Sequence, residues 1–139
     1  MAHGLPIAGQ NRPEPWDERE REIGAVVDRF YEIARLDPQI GPVFERRVQD
    51  WDRHLRTMRD FWSAVVYRTG RYAGRPLEVH RAVPEIRAEH FPRWLELWRR
   101  TVDEVVRSDA RGPLKEYAAR MAATMAARIG ADPGPAATS

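Results

Sequence analysis

Apolar residues recur with the period of an α-helix in four long stretches of this chain, and no segment alternates as a strand would. From about Asp17 to Arg35, the residues Ile23, Val26, Val27, Phe30, Tyr31 and Ala34 share one face at the i, i+3, i+4, i+7 spacing. This helix is expected to stop at Leu36-Asp37-Pro38, because the residue before a proline is pushed out of the helical region. A second stretch, about Trp51 to Tyr67, puts Trp51, His54, Leu55, Met58, Phe61, Trp62, Val65 and Val66 on its buried side, with Asp50 as N-cap. The third, about Pro92 to Arg107, carries Trp94, Leu95, Trp98, Thr101, Val102 and Val105 in register, and Pro92 suits a first turn. After Ser108-Asp109-Ala110-Arg111-Gly112-Pro113, the fourth lines up Leu114, Tyr117, Ala118, Met121, Ala122, Met125 and Ile129, with Gly130 expected to cap its end. The pattern predicts an all-α domain of four main helices.

Shorter elements connect them. Gly41-Pro42-Val43-Phe44 is a turn or short helix that aims Phe44 inward. Gly70 and Gly74 punctuate a loop, Arg75-Pro76 starts a short helical piece ending at His80, and Pro84 breaks the chain's path beyond it. Residues 1–16 lack an apolar period and are expected to be a flexible extension; residues 131–139, rich in Gly, Pro and Ala, are expected to be a disordered tail. That leaves 17–130 as one domain, as suits a chain of 139 residues.

Composition narrows the chemistry. With no cysteine, disulfides, thiolate nucleophiles and thiolate-bound metals are excluded, and so is covalent haem attachment through Cys-x-x-Cys-His. Metal ligands are restricted to His, carboxylate, Met or Tyr. The net charge is only +2, and stretches such as Asp17-Glu18-Arg19-Glu20-Arg21-Glu22 intersperse the signs, so the charge reads as a solvated surface rather than a nucleic-acid footprint. No apolar run approaches the roughly 20 residues of a spanning helix. The start, Met1-Ala2-His3-Gly4-Leu5-Pro6, is unlike a secretory signal, so a cytoplasmic protein is expected.

Two histidines stand in settings that suit opposite sides of a flat, apolar cofactor. His54 opens a face whose later turns bear Met58, Phe61 and Trp62, while His80 closes the short segment Pro76-Leu77-Glu78-Val79-His80. Either is, by itself, an ordinary rim or loop histidine, and His90 beside Phe91 is a rival ligand. Tyr31 and Trp94 read equally well as core residues whose polar tips find a partner.

The order of residues is more specific than any one of them. It runs from Phe30-Tyr31 through Leu36-Asp37-Pro38-Gln39-Ile40-Gly41-Pro42-Val43-Phe44 to Trp51-x-x-His54-Leu55-x-x-Met58-x-x-Phe61-Trp62. Then come Tyr72-x-Gly74-x-Pro76-x-x-x-His80 and His90-Phe91-x-x-Trp94-Leu95. Over roughly residues 20 to 130 this series resembles a truncated haemoglobin, most closely the third group; the lack of a Gly-Gly pair, typical of the other two, agrees. The resemblance implies a globin-like two-on-two helical sandwich, the first helix paired with the second and the third with the fourth. It further implies a non-covalent haem b, with His80 as the iron ligand and Tyr31, His54 and Trp94 as polar residues over the ligand-binding side. Phe44 and Met58 would contact the porphyrin, Phe30, Phe61 and Trp62 would support the pocket, and Tyr72, Arg75 and Arg81 are candidates for the propionates. The chain departs from the family pattern after His80, where it has Val83-Pro84-Glu85, and in its N-terminal extension.

The expected function is binding of a diatomic ligand (oxygen, nitric oxide or carbon monoxide), with redox chemistry such as nitric oxide oxidation or peroxide activation open, and a reductase as the implied partner. Two alternatives are a cofactor-free helical interaction module, and a non-haem metal site built from His54, His80 and His90.

Overall fold

The structure, a computed structural model, describes residues 15–131, with side chains from 17 to 130. The expected extension and tail lie outside the described residues, except where a helix reaches Pro15 and Ala131. The described residues form six helices and no strand: α1 Pro15–Ala34, α2 Gly41–Arg47, α3 Trp51–Tyr67, α4 Pro76–Arg81, α5 His90–Val105 and α6 Arg111–Ala131.

Local chemistry explains most boundaries. Asp50 caps α3 by accepting the Arg53 N–H at 3.1 Å, and the helix ends on Arg68 in the left-handed region at φ 55°. Pro76 opens α4, where its missing N–H leaves nothing unsatisfied. Two edges differ from expectation. The last helix begins at Arg111 rather than Leu114, taking Pro113 into its first turn. Gly130 does not cap it: the helix continues to Ala131 without a left-handed residue, and a Cβ at Gly130 would sit 3.4 Å from the Ala88 side chain.

Packing gives the paired arrangement. α1 lies on α3 and α5 on α6, and the pairs are joined where α1 packs on α5 and α3 on α6. The predicted stripes face inward: Ile23, Val26, Val27, Phe30, Tyr31 and Ala34 of α1 are all buried, as are Trp98 and Val102 of α5 and Leu114 and Ala118 of α6. Trp62 of α3 stacks on Trp98 at 4.4 Å between centroids, knitting the two pairs through their largest side chains.

The sharp corner between α1 and α2 is held by Asp37, which sequence periodicity treats as a mere helix stop. Its carboxylate accepts the backbone N–H groups of Gln39 and Ile40, both at 3.0 Å, and the guanidinium fork of Arg93 on α5 at 2.7 and 2.9 Å. Gly41 is required beside it, because a Cβ there would stand 2.6 Å from the Arg35 carbonyl oxygen. Burial alone would raise the pKa of Asp37, but the bonds from Arg93, Ile40 and Gln39 outweigh it and hold the carboxyl below its ordinary value. One cluster thus ties the α1–α2 corner to the helix that carries Trp94.

Replacing Asp37 with Asn should lower stability at pH 7 by about 1–3 kcal/mol, the usual effect of removing one partner from a buried hydrogen-bonded set. Because the folded-state pKa is depressed, the carboxylate's contribution is present above about pH 4 and is lost as pH falls through the folded value. Chemical denaturation across pH should therefore show the wild type and Asp37→Asn converging in acid; a gap of constant size would refute the assignment.

Candidate functional site

Between the helix pairs lies a cavity of about 460 Å³, within the roughly 300–1,000 Å³ usual for cofactor sites. α1 contributes Phe30 and Tyr31, α2 Phe44 and Arg47, and α3 His54, Met58, Phe61 and Trp62. α4 supplies His80, α5 His90, Phe91 and Trp94, and α6 Met121 and Met125. Interiors normally close around their own side chains, so a mostly apolar void of this size is a space shaped for something else.

At one side stand Tyr31 and His54, with Tyr31 Oη 3.1 Å from His54 Nε2. Burial raises the phenol pKa well above its ordinary value, so Tyr31 keeps its proton throughout the physiological range. Burial lowers the pKa of His54, with a smaller contribution in the same direction from its proximity to His80, which favours the neutral ring at pH 7. The pair therefore shares two protons between one close contact and the cavity. If His54 Nε2–H donates to Tyr31, the phenolic O–H is left to donate inward; if Tyr31 donates to His54, it is not. Trp51, outside the cavity, braces both rings edge-on at 5.6 Å and carries the Arg35 guanidinium on its face at 4.0 Å.

His80 is fixed differently. Its Nδ1 lies 2.6 Å from the Pro76 carbonyl oxygen, one turn back in α4. A carbonyl can only accept, so Nδ1 carries the proton and Nε2 holds the lone pair. A metal-ligating histidine commonly has this arrangement, its second nitrogen donating to a carbonyl that fixes tautomer and ring direction. His90 has the opposite polarity: its Nδ1 accepts the Arg87 N–H at 2.9 Å, so the neutral ring carries its proton on Nε2. The backbone thus offers His80 Nε2, and not His90 Nε2, as a free ligand nitrogen. Among the described residues no three or more His, Cys, Asp or Glu side chains gather as a metal cage, which removes the basis for a site built from His54, His80 and His90.

Other expected residues fall on both sides of the boundary. Phe30, Phe44, Met58, Phe61, Trp62, Tyr72 and Trp94 all line the cavity. Arg75 and Arg81 do not; Arg75 is exposed and reaches Glu78 at 3.4 Å. The cation that does line it is Arg47, which periodicity and motif order do not single out; its fork grips Glu85 at 2.7 and 3.1 Å. The hydrogen bond from Arg47 holds Glu85 below the ordinary carboxylate pKa. Met121 and Met125 are legible in the sequence only as part of an apolar stripe, because the period of a helix cannot separate a cavity wall from a core.

This is the fold of a truncated haemoglobin: the chain superposes with a TM-score of 0.75 on the crystal structure of group III truncated hemoglobin from Campylobacter jejuni, at 24% identity, over 81% of this chain and 91% of that one. In sequence it is similar to the group 3 truncated hemoglobin ctb of Campylobacter jejuni subsp. jejuni, at 26% identity over 107 residues, across 74% of this chain and 84% of that protein. No protein-family model matches the chain. Among the described residues, no helix is long and apolar enough to cross a membrane.

The tautomers are directly measurable. Nitrogen-15 NMR of the cofactor-free protein above pH 7 should find the proton on Nδ1 in His80 and on Nε2 in His90. Both rings showing the Nε2–H form would remove the basis for ranking His80 above His90.

Proposed function

We propose that residues 17–130 form a haem domain, that the cavity binds haem b without a covalent link, and that the protein binds diatomic ligands there. The observation that carries this reading is the free Nε2 of His80, with its Nδ1–H tied to the Pro76 carbonyl, inside an apolar cavity of about 460 Å³. When bound, the haem supplies an iron able to take a diatomic ligand and exchange electrons. His80 would hold the iron, while Phe44, Met58 and Phe61 offer apolar surface to the ring. Arg47, already at the wall, and Tyr72 are better placed to meet the propionates than Arg75 or Arg81.

The chain's own part lies with Tyr31, His54 and Trp94. A bound diatomic that gathers negative charge is favoured by hydrogen-bond donors facing it in a low-dielectric site. Tyr31 keeps its proton because its phenol does not ionise, and in the arrangement where His54 Nε2–H donates to its oxygen that proton is left to face the ligand. Trp94 also lines the cavity, and its indole N–H can only donate. Several donors suit chemistry on a held ligand better than rapid exchange. The finer reading is therefore nitric oxide oxidation or peroxide activation, supplied with electrons by a reductase in the cytoplasm.

The purified protein mixed with haemin should develop a Soret band at one haem per chain; a protein that stays colourless would support the helical interaction module instead. Stopped-flow should find oxygen release about fivefold faster in Tyr31→Phe and in Trp94→Phe, the rate equivalent of losing about 1 kcal/mol per hydrogen bond. Unchanged rates would deny these residues the role. With oxygen and a reductant both present, many nitric oxide molecules should be consumed per haem; consumption that stops after one would leave binding as the activity.

A further inference from the structure

Arg47 and Glu85 meet where the cavity wall reaches solvent. Arg47, the last residue of α2, lines the cavity, yet its side chain is 46% exposed and that of Glu85 is 30% exposed. The guanidinium donates from Nη2 at 2.7 Å and from Nε at 3.1 Å to one carboxylate oxygen, Glu85 Oε1. Glu85 belongs to the stretch between α4 and α5, where Val83-Pro84-Glu85 departs from the family pattern. The pair therefore joins two walls at the rim. One is α2, with Val43 and Phe44; the other is the run from α4 towards α5, with Val79, His80 and Val83.

That second wall is held differently on its two sides. Towards α6 the hold is apolar: Leu77 and Ile86 pack against the buried cluster of Phe91, Ala122 and Met125. Towards α2 and the corner before it, the bridges are polar: Arg47 to Glu85, and Gln39 Nε2 to the Glu89 carbonyl at 3.2 Å. α4 itself has no buried residue. Apolar contact survives a small rotation, whereas a hydrogen bond weakens steeply with distance and angle. An ion pair open to water is also weak enough to break often. A wall held in this way hinges along α6 and parts from α2.

We propose that the Arg47–Glu85 pair is a latch on the cavity rim, which opens for haem to enter or leave between α2 and the stretch that follows His80. The inference rests on the haem reading of the cavity. A porphyrin is flat and rigid, so it passes only when the two walls part. Entry and escape use the same opening, so breaking the latch raises both rates by one factor and leaves affinity unchanged. A contact made only with bound haem acts differently, because its loss speeds escape alone. Arg47 can fill both roles: Nε and Nη2 face Glu85, and Nη1 remains to meet a carboxylate in the cavity.

Haem transfer measures both directions. Uptake is followed by stopped-flow mixing of the cofactor-free protein with carbon monoxide haem, and escape by loss of the Soret band to an excess of apomyoglobin. Glu85→Gln should speed both by about two- to fivefold, the scale of one solvent-touched ion pair. Glu78→Gln removes the same charge from an exposed position on α4 and should change neither rate, which separates the latch from attraction of an anionic haem. In the cofactor-free protein, amides of residues 82–89 should exchange with deuterium faster in Glu85→Gln than in the wild type. A change in one direction of transfer alone, equal gains in Glu78→Gln, or unaltered amide exchange overturns the latch, while the Soret band leaves the haem reading intact. Failure to form a Soret band overturns both.

Discussion

The hydrogen bond from His80 Nδ1–H to the Pro76 carbonyl is the contact on which the site's chemistry turns. It is made within one turn of a six-residue helix, so neither partner depends on a distant element for its position. Pro76 opens that helix without a backbone N–H to satisfy, and its carbonyl is the acceptor that fixes the tautomer. The ring is thereby turned so that Nε2 carries the lone pair into an apolar cavity. His90, at the start of the next helix, is set the other way by one backbone N–H. Selection between two cavity-lining histidines thus follows from which kind of backbone group each one meets.

The surrounding fold keeps a space open against the tendency of interiors to close. Rigid rings do much of this. Phe30 contacts Tyr31, Trp94 and Trp98 at 5.0, 5.9 and 5.3 Å, so α1 and α5 meet through interlocked aromatics rather than through flexible side chains. The Asp37–Arg93 pair fixes the α1–α2 corner to the residue that precedes Trp94 in the chain. A ligand that fills the cavity binds the folded state alone, and stability is expected to rise with occupancy.

The helices are legible in the sequence because an amphipathic stripe leaves a direct mark there: the buried face of α1 matches it, whereas on α5 Trp98, Thr101 and Val102 are buried as expected, Phe91 and Leu97 are buried as well, and Trp94, Leu95 and Val105 are half-buried. The pairing is legible only through resemblance in residue order, since periodicity says which face is buried and not what covers it. Boundaries differ from expectation where a residue has two uses. Gly130, a natural cap, lies inside a helix that runs on to Ala131, and Pro113 is inside a first turn rather than before one. Arg47 and Asp37 leave no such mark because their value lies in partners, Glu85 and Arg93, that are remote in sequence. Arg75 and Arg81 are favoured by closeness to His80 along the chain, but α4 does not bring them to the cavity wall. The tautomers of His80 and His90 depend on backbone groups three and four residues away, a matter of geometry with no trace in composition.

The most direct test of His80 as the iron ligand is resonance Raman spectroscopy of the ferrous haem-loaded protein, followed through the iron–nitrogen stretch. The stretch should be present in the wild type and in His90→Ala, absent in His80→Gly, and restored to His80→Gly by added imidazole at a frequency that shifts when the imidazole is deuterated. Persistence of the stretch in His80→Gly without imidazole, or its loss in His90→Ala, would contradict the account.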